Sequence, residues 1–270
     1  MSEFFTAYSY TILSLIGIAV SIFVYLRLGK YRDVSWKQLV STYVFAAAGL
    51  LIGSHLLFFI VGLPDWIKQY AGDIHSFADF LAAFGYGASG LVFYGGLLGA
   101  LAGVLIFCRM YKIYSYFELN HFAVIIPLFH AFGRIGCAIN GCCYGIEYHG
   151  LFAITYTEAN INPGISDDIA DFSRFPIQPL EAVIELLIFL LLLMLYKKTR
   201  DRYSLTSIYL LIYSVIRFLD EFLRGDAARK IWGPFSTSQW ISLIIFLCVI
   251  IRLTVLQLRR PGKSFFATKA

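Results

Sequence analysis

Residues 121–145 read HFAVIIPLFHAFGRIGCAINGCCYG. The first half is apolar enough to sit in a bilayer. The second half carries one arginine, Arg134, and three cysteines, Cys137, Cys142 and Cys143, among glycines. A charged group at the end of an apolar run is costly on membrane-insertion scales, by about 2.5–3.5 kcal/mol at the helix centre, and usually marks a site or pathway. The fold class therefore turns on whether the rest of the chain is also membrane.

Composition says that it is. Of 270 residues, 59% are hydrophobic and only 14% are charged. Soluble domains carry about 45–50% apolar and about 25% charged residues. One core of this size cannot hide the excess, so the chain reads as an integral, all-α membrane protein. A span needs about 20 mostly apolar residues. About seven stretches qualify, near residues 8–26, 39–63, 84–107, 122–139, 177–195, 205–222 and 239–255, the fourth interrupted by Arg134. The stretch MSEFFTAYSY before the first lacks a basic start, so that run reads as a span and not as a cleaved signal. No internal repeat or low-complexity tract is visible. Residues 1–270 read as one transmembrane domain.

Basic residues set the orientation, because lysine and arginine stay on the cytoplasmic side. Arg27, Lys30, Arg32 and Lys37 follow the first span, and Arg109 and Lys112 the third. Lys197, Lys198, Arg200 and Arg202 follow the fifth, and Arg252, Arg259, Arg260 and Lys263 lie at the end of the last or beyond it. This alternation predicts an outside N-terminus and an inside C-terminus. The net charge of +5 fits such basic loops and requires no nucleic acid. The longest external loop, about residues 145–175, carries Glu147, Glu158, Asp167, Asp168 and Asp171 and is expected to form a small external head between spans four and five.

With that orientation, separate spans deliver polar groups to one depth near the outer leaflet: Arg134 from span four, Gln178 and Glu181 from span five, and Arg217, Glu221 and Arg224 from span six. Arg217 and Glu221 are four apart and share a helix face. Structural ion pairs or snorkelling, easiest for Arg224, would explain these charges without a ligand. Alternatively, several arginines around one carboxylate leave surplus positive charge, which suits a phosphate gripped bidentately. At this depth that means a phospholipid headgroup. Gly95, Gly99 and Gly103 recur every four residues in span three, a spacing that lets a helix or a lipid chain approach the backbone. The Gly95–Gly96 pair is less easily explained by packing and could present Tyr94 to a cavity.

At these residues the sequence resembles the bacterial prolipoprotein diacylglyceryl transferase family. The family signature G-R-x-G-N-F-x-N-G-E-x-x-G stands here as GRIGCAINGCCYG, with Gly133, Arg134, Gly136, Asn140, Gly141 and Gly145 in register. YGGLLG resembles the family's HGGLIG, FPIQPLEAVIELLIFLLLL its HPTQLYEALLELLIFLLL, and RFLDEFLRGD its RFLIEFLRxPD. TSQWISL resembles the segment of its last span, and Tyr10 aligns with a first-span tyrosine. The resemblance covers nearly the whole chain. It implies a multi-pass enzyme of the bacterial plasma membrane that moves a diacylglyceryl group from phosphatidylglycerol to a lipobox cysteine thiol of a prolipoprotein. It also implies Arg134, Arg217, Glu221 and Tyr94 as catalytic residues, with Tyr10, Asn140, Gly145, Gln178, Glu181, Arg224, Cys137 and Cys142 around the substrate. No cofactor is implied.

The departures fall on the chemistry. Cys137 replaces the signature asparagine, Cys142 the glutamate, Tyr94 a histidine, His55 an arginine and Asn120 an aspartate. Phenol is a poor base near neutral pH. Lipid binding is thus better supported than the acceptor. A paralogue with another acceptor, or a non-catalytic lipid-binding protein or transporter, stays open as the alternative, although a transporter would favour an inverted repeat. The cysteines admit three readings: small packing residues, a disulfide at an oxidising face, or a reactive thiolate beside Arg134. The C-x4-C-C spacing lacks the paired clusters of zinc sites, so no metal is expected. His130, one turn before Arg134, reads as a packed, hydrogen-bonded histidine, a general base or a fourth partner to the cysteines, and His149 as a solvated loop residue.

Overall fold

In the computed structural model the described residues are 3–70, 72, 75–87, 90–113, 115–157, 172–199, 204–226 and 231–258. They form eight helices: α1 (Glu3–Tyr31), α2 (Trp36–Tyr70), α3 (Phe77–Gly87), α4 (Phe93–Met110), α5 (Ser115–Asn140), α6 (Ile177–Thr199), α7 (Leu205–Asp220) and α8 (Thr237–Leu258). Two short antiparallel ribbons complete the elements. β1 (Ile154–Thr155) pairs with β2 (Ser173–Arg174), and β3 (Ile231–Trp232) pairs with β4 (Phe235–Ser236).

Six helices are long and apolar enough to cross a membrane: α1, α2, α4, α5, α6 and α8. The chain is a multi-pass membrane protein. Large apolar side chains such as Leu15, Phe23, Leu187 and Ile251 point outward, as a lipid-facing surface requires. Two of the seven expected spans are drawn differently. The third spans parts of two helices, α3, which ends at Gly87, and α4, which begins at Phe93. The sixth, α7, has 16 residues, about 24 Å at helical rise, which is short of a bilayer's hydrocarbon core of about 30 Å. Of the external loop expected near residues 145–175, residues 158–171, with Glu158, Asp167, Asp168 and Asp171, lie outside the described residues.

The chain divides into two compact units, one of Met1–Tyr31 with Asn120–Ala270 and one of Arg32–Leu119. The second is built on α2 against α4. A Cβ placed on Gly49 or Gly99 would strike the other's carbonyl; Gly53 and Gly95 stand in the same relation, and Gly103 abuts the Phe45 carbonyl. The four-residue glycine spacing is therefore a packing seam between helices. Gly96 belongs to it as well, since its Cβ would lie 2.6 Å from Ser54 Oγ. Overpacking such a seam costs about 1–3 kcal/mol. Gly99→Ala is expected to lower the melting temperature in detergent, whereas Gly62→Ala, where the added Cβ meets nothing within 4 Å, leaves it unchanged or raises it. Equal melting temperatures would argue against the seam.

In the first unit the helix ends are fixed by side chains. Asn120 Oδ1 accepts from the Leu205 and Thr206 amides (3.0 and 3.4 Å) at the start of α7. Ser204 caps the same turn through the Ser207 amide. Ser236 and Gln239 form a reciprocal capping box at the start of α8, with 3.0 and 3.2 Å bonds. α5 stops at Asn140 because Gly141 turns left-handed, with φ of 80°. Of the signature glycines Gly136, Gly141 and Gly145, only Gly141 ends the helix. Gly136 lies inside α5 against Tyr10 of α1, and Gly145 lies beyond the turn.

Candidate active site

Five elements of the first unit bring polar groups to a common end: the C-terminal parts of α5 and α7 and the N-terminal parts of α1, α6 and α8. Arg134 comes from α5, Gln178 and Glu181 from the first turns of α6, and Arg217 and Glu221 from the end of α7. Glu181 joins them. Arg134 Nε lies 2.6 Å from Glu181 Oε2, and Arg217 Nη1 lies 3.3 Å from Glu181 Oε1. Arg217 Nη2 also meets Glu221 Oε2 at 2.7 Å and Ser238 Oγ at 3.3 Å. All four charged side chains are buried, with exposures of 6% for Arg134, 4% for Glu181, 5% for Arg217 and 2% for Glu221. Snorkelling is excluded by that burial.

The expected surplus of positive charge is absent from this cluster. Arg134 and Arg217 share Glu181, Arg217 adds Glu221, and Arg224 is held bidentately by Asp226 at 2.8 and 2.6 Å. Asp226 was missed because its partner is two residues away in a turn, a spacing with no helical signature. Two further buried acids also went unread. Glu185, one turn after Glu181, bonds His130 Nδ1 at 2.9 Å, and Asp220 is buried beside Glu221. His130 is thus buried and hydrogen-bonded through Nδ1. His149 is an exposed loop residue with Glu147 at 3.1 Å.

The turn after α5 is pinned from outside. Gln178 Nε2 donates to the Cys142 carbonyl at 2.9 Å and to the Tyr156 hydroxyl at 3.1 Å, and that hydroxyl donates to the Ala138 carbonyl at 3.1 Å. Burial pushes the Tyr156 phenol up to about 12, against the opposing bond from Gln178, so it remains a neutral donor. Tyr156 left no sequence signal, because only the folded loop brings it here. Gly145 is held by backbone pairing with Arg224, and its Cβ would strike the Phe175 carbonyl. Gly225 in turn has no room for a side chain against the Gly145 carbonyl. Gln178→Leu removes both bonds and leaves the Cys142 carbonyl without this donor, at about 1–3 kcal/mol. It should lower the melting temperature measurably; an unchanged value would show that the turn does not depend on Gln178.

The cysteines converge in that turn. The sulfurs of Cys137, Cys142 and Cys143 all lie within 4.8 Å of one another, and all three are free thiols. Cys143 has φ of 56°, a left-handed conformation uncommon outside glycine, and its fold-back completes the group. Hydrogen bonds from Cys137 and Cys142, and then the charges of Arg224 and Arg134, hold the Cys143 thiol well below the ordinary thiol range, against the opposing effect of burial. The Tyr10 phenol is within electrostatic reach of all three cysteines and Arg134. Asn140, the last residue of α5, is in contact with Cys142. Tyr94 and His55 belong to the other unit. Tyr94 is buried in the first turn of α4 beside Phe93.

This arrangement of paired arginines and a glycine-ended α5 is carried by the same segments that supplied the sequence resemblance, and comparison with known proteins bears on all of them. A family model described as prolipoprotein diacylglyceryl transferase matches residues 2–255. The chain belongs to this family. Among its relatives, phosphatidylglycerol–prolipoprotein diacylglyceryl transferase 2 of Clostridium perfringens is 28% identical over 241 residues, covering 89% of this chain and 87% of the relative. The phosphatidylglycerol–prolipoprotein diacylglyceryl transferase of Clostridium tetani is 26% identical over 260 residues, covering 95% of each. That of Bordetella avium is 29% identical over 253 residues, covering 90% of this chain and 88% of the relative. The transferase is thus matched over nearly its whole length, and its family is one of enzymes.

Proposed function

We propose that this transferase moves the diacylglyceryl group of phosphatidylglycerol to a cysteine thiol of a prolipoprotein at the outer leaflet of a bacterial plasma membrane, with its N-terminus outside and C-terminus inside. Family membership supports the reaction. The observation that carries the site is Glu181, a single buried carboxylate holding Arg134 and Arg217 side by side. A guanidinium has five N–H donors, so the ion pairs orient each fork and leave donors for a phosphate.

In this reading Arg134 and Arg217 bind the donor phosphate and stabilise the charge that develops on the departing glycerol phosphate. Fixed donors of that kind are worth a few kcal/mol in a transition state. Glu221 orients Arg217. Tyr10, Asn140, Gly145, Gln178, Arg224, Cys137 and Cys142 shape the lipid and acceptor site around them. Tyr94 takes a catalytic place on the grounds of its sequence motif alone, and Tyr94→Phe tests whether its hydroxyl matters.

The test uses purified protein with phosphatidylglycerol labelled in its headgroup glycerol, with and without a lipobox peptide. Release of labelled glycerol phosphate that depends on the peptide is the expected result. Release that ignores the peptide would point to the paralogue with another acceptor, and no release despite retained lipid would point to a lipid-binding protein without the chemistry.

A further inference from the structure

The mechanism above gives the trio of thiols no chemical step, and two of them stand where the family signature has an asparagine and a glutamate. Its geometry is not that of three independent packing residues. Cys137 is on the last turn of α5, Cys142 follows the left-handed Gly141, and Cys143 is itself left-handed. Two left-handed residues, Gly141 and Cys143, thus flank Cys142 and accompany the gathering of three sulfurs within 4.8 Å of one another. Strained backbone of this kind clusters at functional sites. Tetrahedral zinc with Zn–S bonds of about 2.3 Å needs its sulfurs about 3.8 Å apart. Sulfurs already within 4.8 Å of one another need only a small contraction.

The surroundings suit an anionic complex. Three thiolates on one divalent ion carry a net negative charge, and Arg134 stands three residues before Cys137 on α5, on the same side of that helix. The turn is held by the bond from Gln178 to the Cys142 carbonyl. The sequence spacing argued against zinc because it lacks a second pair of ligands. A closed structural site needs that pair, but a catalytic site has three protein ligands and one open position.

We propose that Cys137, Cys142 and Cys143 bind one zinc ion whose open fourth position takes the acceptor cysteine thiol and holds it as a thiolate for alkylation. This inference rests on the transferase reading and supplies the thiol activation that the Tyr94 and Cys142 replacements would otherwise remove. A thiol coordinated to zinc is deprotonated outright. The acceptor thiol displaces a zinc-bound water, its S–H bond breaks and the proton passes to solvent. The sulfur lone pair then attacks the glycerol carbon that bears the phosphate. The C–S bond forms as the C–O bond breaks, and the electron pair of that bond leaves with glycerol phosphate beside Arg134 and Arg217. The product thioether is a poor ligand and yields its place to water. No electron is gained or lost in the cycle.

The test is made on the full chain purified in detergent under reducing conditions and supplied with zinc. Elemental analysis is expected to find about one zinc per chain. That zinc is retained in C108S and C248S and lost in the triple variant C137S/C142S/C143S. Because the triple variant could fail to fold, the wild type is also loaded with cobalt. A sulfur-to-cobalt charge-transfer band should appear, and it should change on adding a lipobox peptide but not on adding its Cys→Ser counterpart. Removing the metal should slow peptide modification about 10²-fold or more, as expected for loss of thiol activation.

Absence of zinc above the triple variant, or two of the three thiols recovered as a disulfide, overturns the site. A cobalt spectrum indifferent to the peptide overturns the acceptor role. Transfer that proceeds fully without metal overturns the inference and leaves the transferase reading standing. Absence of transfer in zinc-loaded protein overturns the transferase reading, and with it the acceptor role, while the zinc stoichiometry still reports on the three ligands.

Discussion

Arg134→Ala is expected to lower diacylglyceryl transfer about 10²–10³-fold, the effect of removing one fixed donor from a developing oxyanion. The protein should remain folded, because Glu181 keeps its second partner, Arg217, at 3.3 Å. Arg134→Lys should not restore the rate: an ammonium is a point charge and cannot reproduce both the contact with Glu181 and a bidentate grip on phosphate. The check is transfer to a lipobox peptide, with melting temperature measured on the same preparations. Normal transfer by the alanine variant would reduce Arg134 to a structural ion pair.

Glu181→Gln should have the largest combined effect. It removes the carboxylate that faces both Arg134 and Arg217, leaving two buried guanidiniums short of a partner. Breaking a buried pair in this way costs about 3–5 kcal/mol. A fall in melting temperature and a loss of transfer are both expected. Glu185→Gln, one turn further along α6 and bonded to His130 rather than to an arginine, should cost transfer much less. Equal losses in the two variants would show that carboxylates at this depth serve stability alone and that Glu181 has no special place.

Much of this was legible in the residues. Apolar runs about a bilayer long mark six of the helices, because lipid leaves a continuous compositional trace. Gly141 stands in the signature match, and its left-handed place after α5 is one that favours glycine. Arg217 and Glu221 read as partners because helical spacing puts them on one face. The end of α3 at Gly87, the start of α4 at Phe93 and the end of α7 at Asp220 leave no such trace inside continuous apolar runs.

The balance of charge was misread for a related reason. The three partners Arg134–Glu181, Arg217–Glu181 and Arg224–Asp226 include two contacts between helices distant in sequence and one across a turn, none with a fixed spacing. Tyr156 and Gln178 hold the turn after α5 by contacts that exist only once the loop has folded. The convergence of three sulfurs hangs on the φ of Cys143, and a cysteine gives no hint that it will be left-handed. Gly95, Gly96 and Gly99 carry the opposite lesson. A spacing that suits either a helix or a lipid chain turned out to serve a helix, α2.

The central claim is that this chain alkylates a cysteine thiol with the diacylglyceryl group of phosphatidylglycerol. Its most direct test is the mass of a lipobox peptide after incubation with purified protein and phosphatidylglycerol of known acyl composition. The account predicts a peptide heavier by one diacylglyceryl group less one hydrogen, with fragmentation placing the group on the cysteine as a thioether, and no product from the Cys→Ser peptide. An unmodified cysteine peptide, from protein that is folded and binds the lipid, would contradict it.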